Sequence, residues 1–148
     1  MAVKHKPDGY NAVSPYVIVE GAARVIDFAK AVLGAREIMR FAAPDGRIGH
    51  AELRIGDSLI MLADASAEHP AMPCMLHVYV EDVDAAFQRA LAAGATSLRP
   101  VANQFYGDRT GAVRDMCGNL WHMATHVEDV SPDEMRRRAE EVMRKDGG

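Results

Sequence analysis

His50 and Glu52 stand at alternate positions of one short run, and they are the pair in this sequence best suited to proton chemistry. A carboxylate beside an imidazole can act as a base or share a metal ion with it. In Ile48–Ile55 a strand would turn Ala51, Leu53 and Ile55 to one face and His50, Glu52 and Arg54 to the other. The same alternation sets Tyr16 against Val17 and Val19, His77 and Tyr79 against Leu76, Val78 and Val80, and His122 against Trp121 and Met123. A second dense stretch is Asn103–His126. It holds the Gly-punctuated loop Tyr106-Gly107-Asp108-Arg109, then Arg114, then the turn Asp115-Met116-Cys117-Gly118. Arg109 suits a bidentate clamp on an anionic group, and Tyr106 with Phe105 suits a cover. The plain alternatives are ion pairs: Arg109 with Asp108 or Asp115, and Glu52 with Arg54 or Arg114. His126 reads as a structural hydrogen bonder.

These residues need strands to carry them, and the chain supplies the same order twice. Val13–Val19 is β-branched and alternating. A helix follows with Ala22, Val25, Ile26, Ala29, Val32 and Leu33 on one stripe, ended by Gly34. Strands at Arg36–Phe41, Ile48–Ile55 and Leu59–Leu62 complete the first unit. After a polar linker, Ala63–Pro73, come a strand at Met75–Val80, a helix capped by Asp82 with Val83, Ala86, Phe87, Ala90 and Leu91 on one face, and Gly94. Strands at Ser97–Val101, Thr110–Arg114 and Leu120–Thr125 then follow. Val19-Glu20 before the first helix corresponds to Val80-Glu81 before the second, and Gly34-Ala35 to Gly94-Ala95. Ser131-Pro132-Asp133-Glu134 opens a C-terminal helix over about 131–145.

The fold expected is α+β: two βαβββ modules, about 12–65 and 74–127, in one domain over residues 1–148. They should form a curved, cup-like mixed sheet with helices on its outer face. The mixed strand faces would then line the cup, a concave wall with a few polar groups, as small-molecule sites have. The same face could instead simply meet solvent, as in many antiparallel sheets.

Composition narrows the partners. A formal charge of −4 excludes a general nucleic-acid binder, which needs a basic surface. No apolar run approaches the ~20 residues that span a bilayer, and the first dozen residues lack a signal-peptide core. Cys74 and Cys117 form neither a CxxC motif nor a disulfide framework, so a reducing, cytoplasmic setting is expected. Neither GxSxG nor a phosphate-binding glycine motif is present.

With these motifs the duplicated βαβββ pattern resembles the vicinal oxygen chelate superfamily, and within it the PhnB-like glyoxalase/bleomycin-resistance group. The residues that carry the resemblance are Ser14-Pro15-Tyr16, Asp45–Leu53, Leu76–Val83, Tyr106–Arg109 and Ala124–Val130. Met116-Cys117 departs from the group's usual last turn. The resemblance implies a homodimer and, in the superfamily's enzymes, a divalent metal held by two residues from the first strands and two from the last strands of the modules. Those positions fall at Ser14, Ile60, Met75 and His122. Only His122 suits a hard divalent ion, so a metal-free cup is expected and no cofactor.

The ligand-binding set is then Tyr16, His50, Glu52, His77, Tyr79, Tyr106, Arg109, Arg114 and His122, with Glu52 as the candidate catalytic base. The first reading is a small-molecule-binding protein. Two others stand beside it: a metal-dependent lyase or dioxygenase with a displaced site on His50, Glu52, His77 and His122, and a non-catalytic interaction dimer.

Overall fold

The computed structural model describes residues 2–147. Its elements follow in the order β1 (Tyr16–Val19), α1 (Ala22–Leu33), β2 (Arg36–Ala42), β3 (Ile48–Ile55), β4 (Ser58–Asp64), β5 (Met75–Tyr79), α2 (Val83–Ala92), β6 (Thr96–Asn103), β7 (Asp108–Arg114), β8 (Leu120–His126) and α3 (Pro132–Asp146). This is βαβββ twice, with a C-terminal helix. Among the described residues, strand pairing stays within each module. It gives two four-stranded sheets, in the orders β1-β4-β3-β2 and β5-β8-β7-β6, rather than one hydrogen-bonded sheet. In each, the first strand runs parallel to the last, and the other neighbours are antiparallel. The helix crosses over from β1 to β2, and from β5 to β6, strands that run the same way at opposite edges of their sheets.

The chain divides into two compact units. The first ends at Cys74 and includes the turn Asp115–Asn119; the second holds Met75–Arg114 and the chain from Leu120 onward.

In the first unit the stripe of α1 is wholly buried at Ala22, Val25, Ile26, Ala29 and Val32, as are Val17, Val19, Leu53 and Leu62 of the sheet. Each such Val, Leu or Ile contributes about 1.5–3 kcal/mol relative to exposure. In the second unit Val83, Ala86, Phe87 and Ala90 of α2 are buried, with Val113, Trp121 and Met123 of the strands. A Cβ on Gly111 would come within 3.0 Å of the Phe87 ring, so this glycine lets α2 lie close on β7.

Neither helix start is sealed only by the residue before it. Gly21 offers α1 no side chain, and Asp64 at the end of β4 takes that part. Its Oδ1 accepts from Gly21 N at 3.0 Å and Ala22 N at 2.8 Å, and its Oδ2 from Ile48 N at 2.7 Å. In the second module Thr125 Oγ1 accepts from Val83 N at 2.9 Å and donates to Val80 O at 2.8 Å. Asp82 adds the cap expected of it, accepting from Ala85 N.

Strand β1 is shorter than the Val13–Val19 run suggests. Pro15 has no N–H for a ladder, and Asn11 is held instead through its side chain to Leu59 O at 2.7 Å. Helix α3 opens where expected, with Ser131 Oγ accepting from Glu134 N. None of its residues is buried, and Arg138 anchors it by bonds to Phe105 O and both carboxylate oxygens of Glu128.

Candidate functional site

Register decides which side chains stand together. In the first sheet Tyr16, Met61, Glu52 and Met39 are cross-strand neighbours in one row, and Phe41 is paired with His50. Paired residues share a face, so this face carries Tyr16, His50 and Glu52 as the alternation requires. They form a hydrogen-bonded chain. Tyr16 Oη lies 2.8 Å from His50 Nδ1, and His50 Nε2 lies 2.8 Å from Glu52 Oε2. The second oxygen of Glu52 accepts from Tyr10 Oη at 2.5 Å. Glu52 is 4% exposed, whereas Tyr16 at the far end is 45% exposed.

Burial raises the Glu52 pKa, but the hydrogen bonds from Tyr10 and His50 outweigh it, so the net displacement is downward and the group is a carboxylate at neutral pH. An ionised Glu52 only accepts, so His50 Nε2 must carry a proton toward it. In a neutral imidazole that leaves Nδ1 to accept from Tyr16. Burial and the charge on Glu52 raise the Tyr16 pKa. The expected pairing of Glu52 with Arg54 or Arg114 does not form. Arg54 donates instead to Gly9 O at 2.7 Å, where the N-terminal segment lies along β3. Tyr10 is the member that sequence reasoning missed. It sits in a segment without periodicity, and nothing local announces its partner 42 residues on.

The second sheet has a different face. His77 pairs directly with His122, which pairs with Ala112, which pairs with Arg99. The flanking rows are Met75, Leu120, Arg114 and Thr96 on one side and Tyr79, Ala124, Thr110 and Ala102 on the other. Burial first, then His77 and Arg99, lower the His122 pKa, so it is a neutral imidazole near pH 7. The His77 and Tyr79 rings lie 5.2 Å apart.

At the edge of this face Tyr79 Oη donates to Asp108 Oδ2 at 2.7 Å, and His126 Nδ1 lies 2.8 Å from Asp108 Oδ1. Burial raises the pKa of Asp108, but Tyr79 and His126 more than reverse this, and it lies below the usual range. His126 also reaches Asp129 at 2.7 Å, and the two carboxylates raise its pKa. Asp108 is thus a buried, hydrogen-bonded member of this face, although the sequence marks it only as a neighbour of Arg109.

The remaining loop residues hold the structure together. Arg109 makes a bidentate pair with Asp84, at 2.8 and 2.9 Å, and a bond to Asn103. It pairs with neither Asp108 nor Asp115. Tyr106 stacks edge-on against Phe105 at 5.2 Å. Arg114 is exposed in the row of Met75.

Ser14, Ile60, Met75 and His122 stand where the resemblance assigns metal donors. Ser14 Oγ accepts from Asn11. Ile60 pairs with Leu53 on the face turned away from Glu52 and is buried. The register counterpart of His122 is Met61, because Met61 pairs with Tyr16 as His122 pairs with His77. Counting from the turn glycine lands one residue short. Ile55 pairs with Ser58 across a tight turn, whereas Arg114 pairs with Leu120 across a longer one. A slip of one residue changes the face. Serine, two thioethers and one imidazole do not suit a hard divalent ion. Among the described residues no three His, Cys, Asp or Glu side chains are grouped to share one.

Paired βαβββ modules, each with a polar sheet face behind a helix-covered one, define the class of protein. Residues 11–123 match the model of the Glyoxalase/Bleomycin resistance protein/Dioxygenase superfamily. An uncharacterised protein of Mycobacterium bovis is 38% identical over 150 residues, covering 92% of this chain and 94% of the relative. Among solved structures, TioX from Micromonospora sp. ML1 is 30% identical with a TM-score of 0.62, over 78% of this chain and 100% of TioX. The PhnB protein of Bacillus cereus shares the fold, with a TM-score of 0.63 at 17% identity over 78% of this chain and 99% of its own. The chain belongs to the glyoxalase/bleomycin-resistance/dioxygenase superfamily and resembles a PhnB protein in fold.

Proposed function

We propose that this protein binds a small molecule through the polar faces of its sheets, without a resident metal ion. The observation that carries the reading is the row His77, His122, Ala112, Arg99, with Tyr79 and Arg114 in the rows beside it. Two imidazoles, a phenol ring and two guanidinium groups on one face suit a planar ligand that bears an anionic group. Exposed apolar side chains, among them Phe41 at 64%, Met75 at 63% and Tyr79 at 62%, support a homodimer that covers part of this surface. The two free thiols, Cys74 and Cys117, suit a cytoplasmic setting.

Calorimetric titration with a panel of aromatic carboxylates and arylphosphonates tests the binding. Saturable binding is expected for at least one compound, weakened about 10-fold or more in Arg99→Ala and His77→Ala, as loss of a charge-assisted contact implies. If no compound binds, or both variants bind as the parent does, the reading fails. Protein purified without chelator should carry less than about a tenth of an equivalent of divalent metal, since a retained catalytic ion needs about three ligands. A stoichiometric ion would overturn the metal-free part.

A further inference from the structure

The hydrogen-bonded chain on the first sheet has a geometry that ligand binding does not require. Tyr16 Oη sits 2.8 Å from an imidazole nitrogen, the other nitrogen of that ring sits 2.8 Å from a carboxylate, and the carboxylate is fixed by a second tyrosine at 2.5 Å. A nucleophile within hydrogen-bond reach of a base, with the base oriented by a third group, is the signature of an activated nucleophile. Exposure runs the right way too. The carboxylate is buried, the imidazole is half-buried, and the tyrosine whose hydroxyl would attack is exposed. Tyr79 provides the contrast: its hydroxyl bonds directly to the Asp108 carboxylate, with no imidazole between to receive a proton.

The geometry points to a Tyr16–His50–Glu52 triad that cleaves activated esters through an acyl-tyrosine intermediate. Tyr16 Oη attacks the ester carbonyl carbon while its proton passes to His50 Nδ1, and Glu52 stabilises the imidazolium. The tetrahedral adduct collapses, the bond to the leaving oxygen breaks, and that oxygen takes the proton from His50. Water then attacks the acyl-tyrosine with His50 as base, releasing a carboxylic acid and restoring the Tyr16 hydroxyl. Water is the only co-reactant, and no oxidant or metal is involved. Tyr16 and His50 are the catalytic residues here. Glu52, held by Tyr10, is a positioning residue that selects the Nε2–H tautomer. The observation that carries the binding reading lies on the second sheet, so loss of binding in Arg99→Ala and loss of label in Tyr16→Phe are separate outcomes.

The full chain, incubated with p-nitrophenyl acetate, tests it. The expected result is nitrophenol release with acetyl label on the Tyr16 peptide, recovered by mass spectrometry after rapid acid quench. Label there should exceed label on the Tyr79 peptide of the same sample by about 10-fold or more, in keeping with general-base assistance. Tyr16→Phe, which removes only the hydroxyl, should abolish the label while circular dichroism stays unchanged. His50→Gln should slow release about 100-fold. Glu52→Gln should slow it with KM unchanged and shift the pH–rate profile, whereas Glu52→Asp should recover part of the rate. Acetyl label confined to lysines, equal label on Tyr16 and Tyr79, or equal rates in the parent and Tyr16→Phe would each overturn the proposal.

Discussion

Glu52 and Asp108 reach the same state by the same means. Each is 4% exposed, each accepts from a tyrosine and lies against a histidine, and in each those bonds outweigh burial to lower the pKa. Asp64, held by three backbone N–H groups, is lowered as well. A carboxyl whose folded pKa lies below its unfolded value stabilises the fold above the unfolded value, about 4, and that contribution is lost as pH falls through the folded pKa. His126 has the opposite sign. Its folded pKa is raised, so its contribution is complete below the unfolded value of about 6.5 and fades as pH rises through the folded value. Urea denaturation across pH should therefore show midpoints falling below about pH 5. The difference between the parent and His126→Gln should be greatest below about pH 6.5 and shrink above it. A pH-independent difference would mean that His126 acts by packing alone.

The element scale is governed by how each helix start is satisfied from the far end of its own sheet. Asp64 is the last residue of β4 and Thr125 lies at the corresponding place in β8; Asp64 takes two backbone N–H groups at the start of α1, and Thr125 takes one at the start of α2. Asp64→Ala would leave the amides of Gly21, Ala22 and Ile48 without their carboxylate. The loss should be about 2–4 kcal/mol, as expected for several buried donors deprived of one charged acceptor. Chemical denaturation measures it, and Asp64→Asn should recover part. A loss under about 0.5 kcal/mol would show that water replaces the side chain without cost. Edge strands β2 and β6 lie almost wholly exposed, and each carries register shifts, the irregularity that protects free sheet edges.

At the scale of the whole molecule, Ile38, Phe41, Met75, Tyr79 and Met143 are exposed apolar side chains, and the homodimer proposed above would cover some of them. Light scattering behind a sizing column should give about twice the 16.1 kDa chain mass. A mass of one chain at all concentrations would end the dimer proposal. The described helices include none long and apolar enough to cross a membrane.

The doubled βαβββ order, the helix stripes and the polar strand faces were legible in the sequence, because periodicities of 2 and 3.6 are local properties of the chain. Tyr16, His50 and Glu52 could be placed on one face by counting, since alternation within and between short strands suffices. Tyr10 against Glu52, Asp64 against the start of α1, and Asp108 against Tyr79 could not be. Each joins a side chain to a partner many residues away, and no local pattern marks the meeting. Arg109 shows the same limit: it was legible as a clamp, and tertiary structure gave it Asp84 to hold. The counterpart of His122 shifted from Ile60 to Met61 because turn length, which sets register, follows from how the strands pair. The sequence by itself thus determined the elements and their faces. Only the tertiary structure decided which charges meet, because hydrogen bonds form by distance in space and carry no trace in spacing along the chain.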